Sequence, residues 1–293
     1  MIKILYYTLL LGITPALVYA EESKTNPELS IPVQEKNSDQ DYVPLSEIKD
    51  LIPVVNLPEV SFQMGLDYSK GNYSDPDTTE VFYIPFTFNY KKGPWGFRAT
   101  VGYSSLLGQA TVIPGTGFAL FSDLAFRPEN PTSNKGIGDL YLSGSYAIES
   151  LKTDEIFIDL TTRIKLPTGN KEKGLSTGKA DISFQFDIAK FYGNFLPFAT
   201  IGYRHVGKTD RYNLQDTWFA SLGISYYASQ NLTLGLSFDF RKSITIDHEN
   251  PKEIQAFADY ILSEKWSVYL YGLAGLSKGS PDGGMGFHLK YTY

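Results

Sequence analysis

The sequence contains no cysteine, which excludes a disulfide framework, thiolate chemistry and an N-terminal lipidated cysteine. Stability must come from packing or from closure of backbone hydrogen bonds. Histidine is nearly as scarce: His205, His248 and His288 are all there are, so any histidine-dependent hydrolysis must use one of them. Lys and Arg number 26 against 32 Asp and Glu, a formal net charge of −6, which leaves no basic face for nucleic acid. Beyond residue 20 no stretch is long and apolar enough for a spanning helix. What is plentiful is aromatic, with 21 Tyr and 19 Phe in a chain of only 42% hydrophobic content. A soluble fold would hide that many rings in a core, whereas a transmembrane barrel displays them in two girdles at the lipid interfaces.

The first 20 residues, "MIKILYYTLLLGITPALVYA", have one charge at Lys3, a short apolar stretch broken by Thr8, Gly12, Thr14 and Pro15, and a small residue at Ala20. This reads as a cleaved secretory signal rather than an anchor. Residues 21–57 carry eight acids against three lysines and no sustained period, and are read as an acidic, disordered periplasmic leader. Within it "PLSEIKDLI" has the makings of one or two helical turns capped by Ser46.

From Pro58 the pattern has period two. "KADISFQFDIAK" sets Ile182, Phe184, Phe186 and Ile188 against Asp181, Ser183, Gln185 and Asp187, and "NLTLGLSFDFRK" sets Leu232, Leu234, Leu236, Phe238 and Phe240 against Thr233, Gly235, Ser237, Asp239 and Arg241. Each such run has one apolar and one polar face. Collected along the chain they predict twelve strands, at 58–69, 79–90, 95–105, 136–149, 154–166, 179–190, 195–206, 215–227, 231–242, 252–262, 265–276 and 284–293. Strands of this length suit a tilted bilayer crossing of ~9–11 residues better than a globular sheet averaging ~5–6. The connections alternate long and short, as in outer-membrane barrels with short periplasmic turns and long outer loops. The expected fold is therefore all-β: a transmembrane antiparallel up-and-down barrel over residues 58–293, with both termini periplasmic. "ATVIPGTGFALFSDLAF", inside the long segment from Leu106 to Lys135, holds two apolar runs that would make fourteen strands if they joined the wall.

The chain ends in "GMGFHLKYTY", an alternating strand. In hydrocarbon an open sheet edge leaves backbone groups unpaired, so this strand is expected to close against the first. Its outward Phe287, Leu289, Tyr291 and terminal Tyr293 resemble the signal that outer-membrane barrels present to the barrel assembly machinery, where a terminal Phe is the commoner form.

Motifs for catalysis or cofactors are weak. "GLSTGKA", residues 174–180, resembles a phosphate-binding loop, but its glycine spacing is one short, Ala180 stands at the magnesium-binding position, and no helix follows. It reads as a glycine-rich surface loop. "YSDPDTTE" and "SPDGG" lack the regular acid spacing of calcium loops. No metal or cofactor is expected. None of the histidines is followed by the Ser-Asn-Gly run of the barrel phospholipase, so a phospholipase- or protease-like barrel hydrolase is carried only as an alternative.

The polar faces hold the better candidates. Asp67, Arg98, Asp139, Asp159, Arg163, Lys165, Asp181, Asp187, Asp239, Arg241, Asp259 and Lys290 carry charges of both signs that lipid rejects at ~2–4 kcal/mol for a midplane Arg or Lys. All are expected to face the lumen. If 154–166 and 179–190 form a hairpin, a pairing of Lys165 with Asp181 also pairs Asp159 with Asp187. Such ladders either set up a transverse field that screens polar solutes, or neutralise one another and fill a narrow structural or adhesive barrel. The segment from Leu106 to Lys135 is unusually apolar for an outer loop, and Phe118, Phe121 and Phe126 are candidates for a constriction where apolar solutes partition.

"GIGDLYLSGSYAI", followed by "IKLPTGNKEKGLSTGKADISFQFDIAKFYGNFLPFATIGYRHVGK", resembles a family of outer-membrane proteins associated with the meta-pathway of phenol degradation and labelled as transporters. The similarity spans about residues 136–293. It implies a channel or uptake role for small molecules, aromatic compounds among them, in the outer membrane of a Gram-negative cell.

Overall fold

The computed structural model describes residues 57–74, 76–108, 111–113, 123–126, 134–148, 156–210, 213–246 and 248–293, with backbone only at 111–113 and 123–126. The expected signal sequence and leader thus lie outside the described residues, save Leu57.

Alternation of side chains builds the wall. β1 (Glu59–Gly71), β2 (Thr79–Lys92) and β3 (Trp95–Leu107) form an antiparallel meander. The fourth strand is split into β6 (Asn134–Ile137) and β7 (Leu140–Ala147), both paired with β3. Eight more follow, each paired with its predecessor: β8 (Ile156–Leu166), β9 (Asp181–Lys190), β10 (Phe195–His205), β11 (Thr217–Tyr227), β12 (Leu232–Arg241), β13 (Lys252–Ile261), β14 (Trp266–Gly275) and β15 (Gly283–Thr292). β15 pairs back onto β1, from Ser61–Thr292 to Lys70–Gly283, and Tyr293 N–H donates to Val60 O at 2.9 Å. The sheet is a closed twelve-stranded transmembrane barrel with no free edge, which satisfies the backbone internally. The fourteen-strand alternative is not what forms. β4 (Thr111–Ile113) and β5 (Asp123–Phe126) pair with each other in a separate two-stranded sheet.

The split in the fourth strand is a β-bulge. Tyr103 faces Ile137 and Thr100 faces Tyr141, so four steps on this strand match three on β3. The extra residue turns Asp139 inward, where it is buried. Expected strand starts and ends otherwise agree with the structure to within a few residues.

The outer surface is apolar over its middle, with Met64, Leu66, Phe86, Leu160, Phe184, Leu222, Leu234 and Leu236 all exposed. Aromatic pairs mark its two rims. Trp95–Tyr146, Phe195–Tyr226 and Trp266–Tyr291 stack beside the short turns, and Tyr68–Phe82 and Trp218–Phe240 towards the long loops. These are the two girdles of a membrane barrel. At the turn between β2 and β3, Gly93 has φ +57° and precedes Pro94, the pattern of a two-residue hairpin with glycine first.

Inside, several rings lie flat on the wall because the neighbouring strand offers glycine. A Cβ at Gly202 would overlap the Phe219 ring, and one at Gly286 would overlap Tyr271. This glycine and ring pairing lets large inward side chains hug the sheet instead of crossing the lumen.

Candidate functional site

Every charged residue expected in the lumen lies on the inner face. Asp67, Asp139, Asp159, Lys165, Asp181, Asp187, Asp239, Arg241, Asp259 and Lys290 are buried, and Arg98 and Arg163 are half-buried. The expected hairpin register holds, with Lys165 opposite Asp181 and Asp159 opposite Asp187. Of the apolar candidates, Phe118 and Phe121 lie outside the described residues, and Phe126 is described only as backbone of β5.

Because the strands are tilted, residues that face one another across successive strands trace sloping rows around the wall. One row is acidic. Asp159, Asp187, Thr200, Ser221, Asp239 and Glu253 follow one another from β8 to β13. Its carboxylates are held by inward donors: Thr200 Oγ1 and Gln185 Nε2 donate to Asp187 at 2.6 and 2.9 Å, Ser237 to Asp239 at 2.9 Å, and Arg241 Nη2 to Glu253 at 2.6 Å.

Near the long-loop end Lys165 joins three elements. Its Nζ lies 3.4 Å from Asp139 of the bulge and 3.1 Å from Asp181 of β9. It also donates to Thr177 Oγ1 at 2.9 Å. Thr177 belongs to "GLSTGKA", which is not a solvated surface loop. Gly174 to Thr177 are buried, and Leu175 packs with Tyr73, Val81 and Leu106. The loop between β8 and β9 therefore reaches across to β2, β3 and the first long loop. Gly169 N–H donates to Asp139 Oδ1 at 3.0 Å, Thr168 caps the bulge through Gly138 O and Leu140 N, and Gly207 N–H donates to Asp181 Oδ1 at 3.0 Å. Among the described residues, 174–177 is the part of this loop that folds inward at the mouth. Its polarity hid it from a search for apolar lids, and Leu175 was the available signal.

Two of the histidines are held by hydrogen bonds to carboxylates. His288 Nε2 lies 2.7 Å from Asp67 Oδ1, which also accepts from Tyr271 Oη at 2.7 Å, and Gln63 Nε2 approaches His288 Nδ1 at 2.6 Å. With Nε2–H donating to Asp67 and Nδ1 accepting from Gln63, both ring nitrogens are engaged. His205 sits on the rim, where Asp216 gathers Lys208 Nζ at 2.9 Å, Val206 N at 3.1 Å, and His205 Nδ1 and Tyr203 Oη at 3.0 Å each. The Lys208 ammonium, aided by the other donors, holds the Asp216 carboxyl well below the usual carboxylate range against the opposing effect of desolvation. Among the described residues no group of His, Cys, Asp or Glu could hold a metal ion.

Sequence alternation missed Glu253, Arg204, Tyr83, Tyr141 and Tyr271, which are buried, and half-buried Tyr269, which packs against Tyr271. Glu253 and Arg204 fall next to strand ends, and tyrosine counts as readily for the lipid face as for the lumen.

The fold is similar to that of an outer-membrane channel from Pseudomonas putida F1. The two align with a TM-score of 0.58 at 12% identity, over 83% of this chain and 99% of that one. The KdgM porin aligns at 0.49 with 8% identity, over 80% of this chain and 99% of the porin. The translocator domain of the autotransporter NalP from Neisseria meningitidis aligns at 0.47 with 11% identity, over 85% and 92%. No family model matches the sequence, and no curated protein matches it. At such identities the likeness is one of fold.

Proposed function

We propose that this protein is an outer-membrane channel for the passive passage of small molecules. The observation that carries the reading is the continuous polar lining of a closed barrel, with the row that holds Asp159, Asp187, Asp239 and Glu253 running from beside one rim to beside the other. A barrel filled only for stability gains little from buried charges, because apolar residues of similar volume serve as well or better. Ionisable residues at membrane depth mark solute or ion pathways by default. The long loops then face outward, the short turns and both termini face the periplasm, and the exposed Tyr293 with Phe287 forms the signal for barrel assembly. The charged interior supports polar or charged solutes, and the resemblance to the phenol-degradation family supports aromatic ones.

A second reading, a filled structural barrel, is favoured by the tight burial of Asp187 and Glu253. A hydrolase has no support from His288, both of whose nitrogens are engaged, or from His205, which Asp216 holds on the rim. Single-channel recording in planar bilayers separates the readings. Discrete current steps support the channel. Their absence from a correctly inserted barrel overturns it in favour of the filled barrel, or of an enzyme if lipid or peptide is cleaved.

A further inference from the structure

On the rim beside the long loops, two outward lysines are already paired, Lys70 with Glu80 at 3.0 Å and Lys208 with Asp216 at 2.9 Å. Lys242 and Lys252 have no ion-pair partner among the described residues. Neighbouring acids are turned elsewhere. Glu253 is buried on Arg241 Nη2 at 2.6 Å, and Asp216 is shared by Lys208, His205, Tyr203 and Val206. Glu249, in the loop before Lys252, is exposed and pairs with neither lysine.

Register sets these two lysines on one outward patch. Lys242 N–H donates to Trp218 O at 2.9 Å, one step beyond the Phe219–Arg241 pair, and Lys252 stands opposite Phe240. The Trp218 and Phe240 rings stack with centroids 4.7 Å apart. Lys242 and Lys252 are therefore diagonal neighbours beside a platform of rings, with backbones ~7–8 Å apart. Both backbones are fixed. Lys252 N–H donates to Ser280 Oγ at 2.8 Å, its carbonyl accepts from Leu276 N at 2.7 Å, and Lys242 O accepts from Thr217 Oγ1.

From Lys252 the outer face of β13 continues through Ile254 to Ala256, which stands opposite Gly272 of β14. A Cβ at Gly272 would meet nothing closer than Gly284 O at 3.9 Å. Leu236 beside Ala256 and Met285 beside Gly272 are 53% and 63% exposed. Two tall side chains thus flank a trough floored by two small residues, and it opens below the lysines within the apolar band.

We propose that this patch holds a phosphorylated glycolipid of the outer leaflet, its head-group phosphate clasped by Lys242 and Lys252 and an acyl chain lying in the trough. Ammonium groups beside girdle aromatics sit at head-group level, where basic clusters attract anionic lipid. A free anion has no use for the trough, and an uncharged chain has none for the lysines; a lipid phosphate uses both. Two ammoniums match a phosphomonoester of charge near −2 better than the single charge of a phosphodiester, which favours a sugar-borne phosphate over a phospholipid. The opposite rim offers no such clasp: Lys190 and Lys265 lie singly over the Tyr192 and Tyr293 rings, at 5.4 and 6.0 Å.

The proposal rests on the outer-membrane placement with the long loops outward, and its test reads binding rather than current. Full-length protein in detergent micelles is incubated with lipid A, with lipid A stripped of its phosphates, or with phosphatidylglycerol, and retained lipid is counted by native mass spectrometry. The wild type should retain lipid A. Retention should fall roughly thirtyfold when Lys242→Gln and Lys252→Gln are combined, and as far for the phosphate-free form. Phosphatidylglycerol, and lipid A on Gly272→Leu, should each be held about fivefold less. Lys190→Gln with Lys265→Gln, on the other rim, should behave as the wild type does. No lipid A on the wild type, equal retention by the Lys242 and Lys252 double variant, or full retention of the phosphate-free form overturns the site. Phosphatidylglycerol held as tightly as lipid A overturns the choice of glycolipid. A barrel that holds lipid A but passes no current keeps this site and loses the channel, whereas a conducting barrel that holds none does the reverse.

Discussion

Replacing Lys165 by Met removes the counter-ion shared by Asp139 and Asp181 and the donor that pins Thr177. The Lys165 and Asp181 side chains are 4% and 9% exposed, at a separation of 3.1 Å. At that separation two unit charges attract by about 5 kcal/mol at an effective dielectric of ~20, but by only about 1 kcal/mol in bulk water. Breaking a buried pair from one side costs ~3–5 kcal/mol, since the other charge is left stranded. Asp181→Asn should cost less, because its carbonyl oxygen still accepts from Gly207 N–H. A double-mutant cycle over Lys165→Met and Asp181→Asn, by urea unfolding in vesicles, isolates the pair. The natural reporters are Trp95, Trp218 and Trp266, all on the outer face. We expect a coupling of about 2–4 kcal/mol. A coupling below about 1 kcal/mol would refute the reasoning, because it would mean that water screens this pair as it does at a surface.

Leu175→Ala should loosen the mouth. Truncating a buried Leu costs ~2–5 kcal/mol, but the loop can undock instead of straining the wall, so unitary conductance should rise while barrel unfolding hardly changes; unchanged conductance would clear 174–177 of any constricting role. Asp216 should tie its loop down across the neutral range. Its folded pKa is depressed, so the stabilisation is complete above the ordinary carboxylate value of ~4 and is lost only as pH falls through the lower folded value. Amide exchange of Val206, whose N–H donates to Asp216, should stay slow to about pH 4 in the wild type and be fast at neutral pH in Asp216→Asn; equal exchange in the two would discount the cluster. Leu236→Arg places a charge on the outer face midway along β12 and should cost ~2–4 kcal/mol in vesicle unfolding, whereas a neutral outcome would mean that this face does not meet hydrocarbon.

How far the sequence could be read follows from which interactions are local. Period two is a property of neighbours, so Phe184 and Gln185 declared their opposite faces directly. One hairpin register was also legible, because Lys165 opposite Asp181 is a pairing of charges within a single turn of chain. Registers compounded across several strands were not. Neither the acidic row nor the outward pair of Lys242 and Lys252 can be seen until the offset of each hairpin is known. The bulge at Gly138 and Asp139 is a single added residue that alternation does not announce, although Asp139 faces inward as expected. The inward course of 174–177 depends on Leu175 finding Tyr73, Val81 and Leu106, partners far away in sequence. The two apolar runs that hold β4 and β5 offered a further pair of wall strands, but membership of the wall is decided by pairing.

Two adjacent residues test the central claim, that one face of each strand meets hydrocarbon and the other a wet path. Because the chain has no native cysteine, Ser183→Cys and Phe184→Cys can be labelled singly in liposomes with a nitroxide. Position 183 should respond to a water-soluble nickel relaxant and position 184 to dissolved oxygen. Water access at both would remove the membrane, and access only to oxygen at both would remove the path.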